Sequence, residues 1–398
     1  MAGSNLLPRL LPALALVLTA LGLSGCGATK NLFGSEEDNS AIPNPLTEIA
    51  IEQTVEQLCS SGVGDGPEDL FLQLTTAVAN GYVFAADRKG RISAYEVESG
   101  KRVWETNVKR AIGGGPGVGS GVVVVGTREA RVIALSPETG ELLWKARVSS
   151  EVLSPPQAAE GVVVVRTVDG KLIGLDAIDG SRLWIYDRGV PALTLRGTST
   201  PVIADGVAVS GFDGGRLVAV ALDSGQPLWE TRIALPSGRS ELERMVDIDG
   251  NILISDRTVY VVSFQGRTAA VDLDTGTILW RRDMSSHAGL GLDNAAVYVT
   301  DELSHVWALD RDSSASIWKQ ANLESRQLTA PVRVGDHVIV GDFEGYVHWL
   351  RVEDGALVAR ARVGNDGIIS TPTVWQDIAF VYERGGKLAA LRLASFGE

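Results

Sequence analysis

Gly90-Arg91-Ile92-Ser93-Ala94-Tyr95-Glu96-Val97-Glu98-Ser99-Gly100-Lys101-Arg102-Val103-Trp104 is the stretch from which the architecture can be read. Its first half is a short, nearly alternating apolar run, as a strand packed on at least one face should be. A turn ending in Gly follows, supplying the positive φ of a tight hairpin. A second short run then carries Trp104. The pattern returns at 130–144, 170–184, 215–229 and 266–280, more worn at 304–318 and 345–359, and as a half-copy at 386–391. Successive starts lie 40, 40, 45, 51, 38, 41 and 41 residues apart. One Gly turn and one Trp per unit of about forty residues mark a stacked or radial repeat. Upstream of each copy lies a further apolar run behind a Gly turn, as at 121–127 and 161–167, often preceded by a Pro-led strand such as 201–203 or 372–374. Four strands per unit and eight units predict an all-β fold, an eight-bladed β-propeller of four-stranded antiparallel blades.

The last unit offers strands at 372–375, 378–382 and 387–393 and then stops, without a Trp-bearing strand. The segment 49–60 precedes the first complete blade and has no partner of its own. Pairing the two closes the circle and hides two sheet edges. This closing strand has no Trp, so its blade is expected to dock less firmly than the rest.

The 398 residues form one repeat array with a shared core, which overrides the usual count of two or three domains for such a length. With 49 acidic against 36 basic residues the net charge is -13. That balance, without a Lys/Arg stripe, argues against a nucleic-acid partner, whose phosphates need neutralising. Arg9 and the apolar run 10–23 read as a signal peptide covering 1–25. Leu23-Ser24-Gly25-Cys26 resembles a bacterial lipobox, which implies cleavage before Cys26 and its acylation. By the sorting rule of such lipoproteins, Gly27 in place of Asp implies the outer membrane, periplasmic face. Residues 26–45 are polar and turn-rich and read as the lipidated Cys and a flexible tether, about eighteen residues spanning roughly 25 Å. The propeller is assigned to 46–398. Cys59 is then the one remaining cysteine, so no intrachain disulfide or C-x-x-C motif is available, and it reads as a small buried strand residue.

Trp104, Trp144, Trp184, Trp229, Trp280 and Trp318 share one register. Binding sites are few and local whereas packing repeats, so these rings are expected to pack between blades. The glycine cluster 113–121 fits neither G-x-G-x-x-G nor a P-loop, and falls where other blades have inter-strand turns. His287, His305, His337 and His348 have no zinc spacing, and each reads as belonging to a different blade or connection; His305 and His348 lie within strand motifs. The acidic turn 247–250 lacks a full calcium-ligand series, and there is no G-x-S-x-G elbow. No cofactor or metal is expected, and no catalytic residue is assigned.

The two long spacings are adjacent, and extra residues in repeat proteins map to loops on one face, often the binding face. The first insertion runs 188–197 and the second 236–249. Side by side they would present Leu193, Leu195 and Arg196 with the carboxylates Asp247 and Asp249. An apolar centre with Arg and a charged rim is how a protein-docking patch is built.

The whole mature chain resembles the BamB family, propeller lipoproteins of the outer-membrane β-barrel assembly (BAM) machinery. The repeat also resembles that of pyrroloquinoline-quinone (PQQ) enzymes; the lipobox, the eight units and the two loops narrow the likeness. Thr194-Leu195-Arg196-Gly197 and Arg244-Met245-Val246-Asp247-Ile248-Asp249 are similar to the family's two loops that contact a periplasmic POTRA domain of BamA. The resemblance implies a non-catalytic scaffold, docking on BamA through Leu193, Leu195, Arg196, Asp247 and Asp249 and assisting the folding and insertion of outer-membrane proteins, with unfolded outer-membrane proteins as further partners. The missing Trp and the segment 59–68 depart from the family pattern. Two other readings stay open: a PQQ-dependent dehydrogenase-like propeller, although adjacent cysteines and an acidic calcium site are lacking, and a periplasmic propeller holding a small ligand in its channel.

Overall fold

The computed structural model describes residues 42–67, 72–189, 198–235, 246–248 and 250–394. These residues build eight sheets, seven of four strands and one of five. Blade 1 consists of Ala77–Ala79, Tyr82–Ala86, Arg91–Glu96 and Arg102–Asn107, paired antiparallel in chain order. Blades 2 to 7 repeat this plan, blade 2 with a fifth strand added. The first strands of successive blades touch in a closed series, from blade 1 to blade 8 and back. They therefore line the axis, and the fourth strands form the rim. This is the eight-bladed propeller read from the repeat.

The second and third strands carry the core. Val122–Thr127 is buried throughout, and Lys171–Asp176 is buried except at its ends. Neighbouring blades cover both faces there, so Val, Ile and Ala run on without a polar alternate. Rim strands alternate instead: in Arg182–Asp187, Trp184 is buried while Leu183 and Ile185 are exposed.

Each rim Trp stands opposite a small residue of the third strand, Ala94 for Trp104 and Gly174 for Trp184, and the register slips just before it. This bulge turns the ring towards the next blade. The indole N–H of Trp184 donates to the Leu222 carbonyl at 2.7 Å and that of Trp144 to the Ala177 carbonyl at 2.8 Å. Trp104, Trp229, Trp280 and Trp318 repeat the bond to their own next blades. In five of the six a turn glycine of that blade lies on the ring face, and beside Trp280 the turn has Ser314 in its place. A Cβ at Gly180, where φ is 73°, would come within 2.5 Å of Trp144. The expectation of inter-blade packing holds. Blade 7 inverts the pair, with buried Trp349 on the third strand opposite Ala359.

Strand β1, Val55–Gly62, pairs antiparallel with Lys387–Leu393 and completes blade 8. Closure follows the expected plan, but the strand starts later than residue 49. The residues before it lie along the rim of blade 7: Glu52 N–H donates to the Val358 carbonyl at 2.9 Å, and the Arg360 and Arg326 guanidinium groups reach the Thr47 and Asn44 carbonyls. Cys59 takes the Trp position, opposite Ala390 and past the same register slip. Its sulfur lies against Gly100, as five of the six rim Trp lie against a turn glycine. Burial pushes the Cys59 thiol pKa up.

Two sequence readings are corrected. The glycine cluster is no turn: Ile112–Gly119 is the first strand of blade 2. Glycine is needed because blade 3 approaches so closely that a Cβ at Gly117 would meet the Pro156 carbonyl oxygen at 1.8 Å. His337 and His348 share blade 7 rather than belonging to separate units. Buried His348 lies 3.0 Å from Asp342, and His305 lies 2.9 Å from Asp301.

Candidate functional site

In blades 1 to 7 the first–second and third–fourth strand turns lie at one end of the ring, as does the first–second turn of blade 8. The second–third turns and the connections between blades lie at the other, here termed the connection face. Both long insertions are connections, so the described residues at their ends lie on that face, between blades 3 and 4 and between blades 4 and 5.

The roots of the insertions are held together by blade 4. Ser199 is fully buried and its hydroxyl accepts the Gly211 N–H at 2.7 Å. On the second insertion, Val246, Asp247 and Ile248 are all buried. Asp247 forms an isolated antiparallel bridge with Asp213, its Oδ1 accepts the Gly214 N–H at 3.1 Å, and its carbonyl accepts the Phe264 N–H at 3.0 Å. Ile248 fills the space above Gly211. Beneath lies Arg166, 2% exposed, its guanidinium 4.1 Å from the centre of the Phe212 ring and 3.9 Å from the Asp213 carboxylate. Burial raises the Asp213 pKa; Arg166 opposes that rise and Asp247 adds to it.

Of the residues assigned to docking, only Asp247 is among the described ones. Its carboxylate is not part of an exposed rim: it pins the second insertion to blade 4. Leu193, Leu195, Arg196 and Asp249 lie outside the described residues, as does Cys26. Sequence reasoning missed Leu235, 63% exposed at the root of the second insertion. A lone Leu beside a Pro gave no periodic signal.

It also missed a plug in the channel. Strand β2, Gln73–Leu74, pairs in parallel with Gly114 and Gly115 of blade 2. The Gln73 amide donates to the Thr198 carbonyl and accepts from the Thr200 hydroxyl, both of blade 4, at 3.2 Å. The Leu74 carbonyl accepts from Ser370 of blade 8 at 2.6 Å. Blades 2, 4 and 8 are not neighbours, so a segment joining all three must cross the axis. Leu72 and Leu74 are buried there. The channel mouth on the connection face is thus occupied by the chain itself. Among the described residues no group of His, Cys, Asp and Glu is placed to hold a metal ion.

A family model described as outer membrane protein assembly factor BamB matches residues 88–320. The outer membrane protein assembly factor BamB of Pseudomonas aeruginosa is 49% identical over 376 residues, 94% of this chain and 97% of that one. The crystal structure of BamB from Moraxella catarrhalis superposes with a TM-score of 0.78 at 29% identity, covering 85% of this chain and 99% of that one. Quinohemoprotein alcohol dehydrogenase from Comamonas testosteroni superposes with a TM-score of 0.70 at 12% identity, covering 86% of this chain and 78% of that one; this likeness is of fold alone. The chain belongs to the BamB family of outer membrane protein assembly factors.

Proposed function

We propose that the protein is a lipid-anchored, non-catalytic scaffold of the BAM complex on the periplasmic face of the outer membrane, tethered through Cys26. In this reading it docks on a periplasmic POTRA domain of BamA through Leu193, Leu195, Arg196 and Asp249, with Asp247 holding the second loop in place. The observation that carries the reading is the rooting of both insertions on one blade, 4, at one face of the ring. A rigid root lowers the ordering cost of a docking loop. The β2 plug favours it over a ligand or quinone bound at the axis. Pull-down of the soluble propeller with the periplasmic domains of BamA tests it. Leu195→Asp and Asp249→Arg should each abolish capture; capture undiminished in both would refute the assigned face.

A specific observation also supports the holding of unfolded outer-membrane proteins. The residue before the rim Trp is apolar and exposed in blades 1 to 6: Val103, Leu143, Leu183, Leu228, Leu279 and Ile317, from 41% to 54%. In blade 7 its counterpart Val358 is 1% exposed, because the chain's own extended segment has paired with that edge at Glu52. The other rims present the same unpaired edge and apolar contact to an extended client strand.

A further inference from the structure

Among the described residues of this acidic chain lies a concentrated patch of opposite sign. On the connection face, the turn of blade 1 at 87–90, the connection at 108–111 and the turn of blade 2 at 128–130 enclose an open cleft of about 270 Å³. Its lining holds five cations, Arg88, Lys89, Lys109, Arg110 and Arg128, and one carboxylate, Glu129. The backbone keeps the three segments together: Ile112 N–H donates to the Arg88 carbonyl at 3.2 Å and Arg128 N–H to the Ala111 carbonyl at 2.9 Å.

Three of the cations, Arg88, Lys89 and Arg110, are already engaged. Arg110 pairs with Glu129 at 2.6 Å and Lys89 with Asp65 at 3.0 Å. The Lys109 ammonium and the Arg128 guanidinium have no ion pair among the described residues, and the Arg128 Nε is buried without a hydrogen-bond partner. A protein of net charge -13 that clusters five cations and leaves two uncompensated holds a local anion site. A guanidinium fork beside an ammonium suits the tetrahedral, multiply accepting oxygens of a phosphate.

The position of the chain's exit selects the source of that phosphate. Asn44, where the described chain begins its course along blade 7, donates its N–H to the Glu324 carbonyl at 3.0 Å and accepts from Arg326 through its own carbonyl at 3.1 Å. Both partners belong to the connection between blades 6 and 7. The described chain therefore begins on the same face that carries the basic cleft. With the lipid anchor of the proposed function at Cys26, about sixteen residues separate the anchor from the described chain, so the propeller is held close to lipid headgroups.

We infer that the cleft between blades 1 and 2 binds the phosphate of anionic phospholipid headgroups and so turns the connection face towards the membrane. The orientation rests on the lipid anchor of the proposed function; the cleft itself does not.

The test uses the unit Pro43–Glu398, which contains all eight sheets and the closing strand and has no anchor. Sedimentation with vesicles of phosphatidylcholine plus phosphatidylglycerol should carry the protein down, and pure phosphatidylcholine vesicles should not. Raising the salt should release it. The variant Lys109→Glu/Arg128→Glu should weaken vesicle binding at least about tenfold, since each basic group near an anionic surface contributes severalfold. Its melting temperature and its capture by BamA periplasmic domains should stay unchanged, which separates this site from the docking loops. Binding of inorganic pyrophosphate without binding to vesicles would make the cleft a free-anion site and overturn the lipid assignment. Loss of BamA capture in the double variant would make the cleft part of a protein interface and also overturn it. Equal sedimentation with neutral vesicles would do the same.

Discussion

At the scale of single residues, the positions that matter most are those where one repeat departs from the others. Trp184 buries its ring and donates its N–H across the gap between blades, so Trp184→Ala should cost about 3–5 kcal/mol in denaturant unfolding. Cys59 holds the same position in the closing blade with a far smaller side chain and no N–H to offer the next blade. Cys59→Ala should cost about 1 kcal/mol. Equal losses would show the seam to be as firmly docked as the other junctions. Blade 8 also holds Glu383, 2% exposed, whose Oε1 finds no hydrogen-bond partner among the described residues. Burial pushes its pKa up to about 7. The folded protein then keeps this proton until about pH 7, whereas the unfolded chain releases it near the usual 4.5. Stability from this group is complete at acid pH and is lost as pH rises from 4.5 to 7. Glu383→Gln should therefore stabilise the protein by on the order of 2–3 kcal/mol at pH 8 and by little at pH 4.5. A gain independent of pH would show that ionisation is not the cause.

At the scale of elements, the rim edges make the same physical offer six times and have it taken up once. A photo-crosslinking residue at Leu183 or Leu228 should capture an unfolded outer-membrane protein, and one at Val358 should not, because residues 43–54 cover it. Equal capture at all three would remove the edge-pairing account. The four-strand unit was legible in the sequence because every copy repeats the same alternation, turn glycine and Trp. The closing strand was legible by elimination, since three C-terminal strands lacked a partner. What sequence could not show were elements without period. β2 is two residues long and pairs in parallel, which leaves no alternation to detect. The glycine run 113–119 carried the composition of a turn and became a strand because the neighbouring backbone leaves no room for Cβ atoms. Asp247 read as a surface carboxylate. Its burial depends on the Gly214 N–H, a partner 33 residues away that no local pattern announces.

At the scale of the whole molecule, the connection face gathers most of the irregular features among the described residues: the roots of both insertions, the β2 plug, the basic cleft and the start of the described chain at Asn44. Among the described residues the opposite face carries hairpin turns, those between third and fourth strands seating most of the Trp rings, and the passage of residues 52–54 into β1. One face is thus left to the ring's own assembly, and the other is free to meet partners. The most direct measurement is a calorimetric titration of Pro43–Glu398 with the periplasmic domains of BamA, repeated with Leu195→Asp/Asp249→Arg. The expected result is saturable binding by the native propeller, weakened at least about a hundredfold in the variant, as for loss of two interface hot spots, with an unchanged melting temperature. Undiminished affinity in the variant, or no binding by a folded native propeller, would contradict the assignment of this protein as a scaffold docked through those two loops.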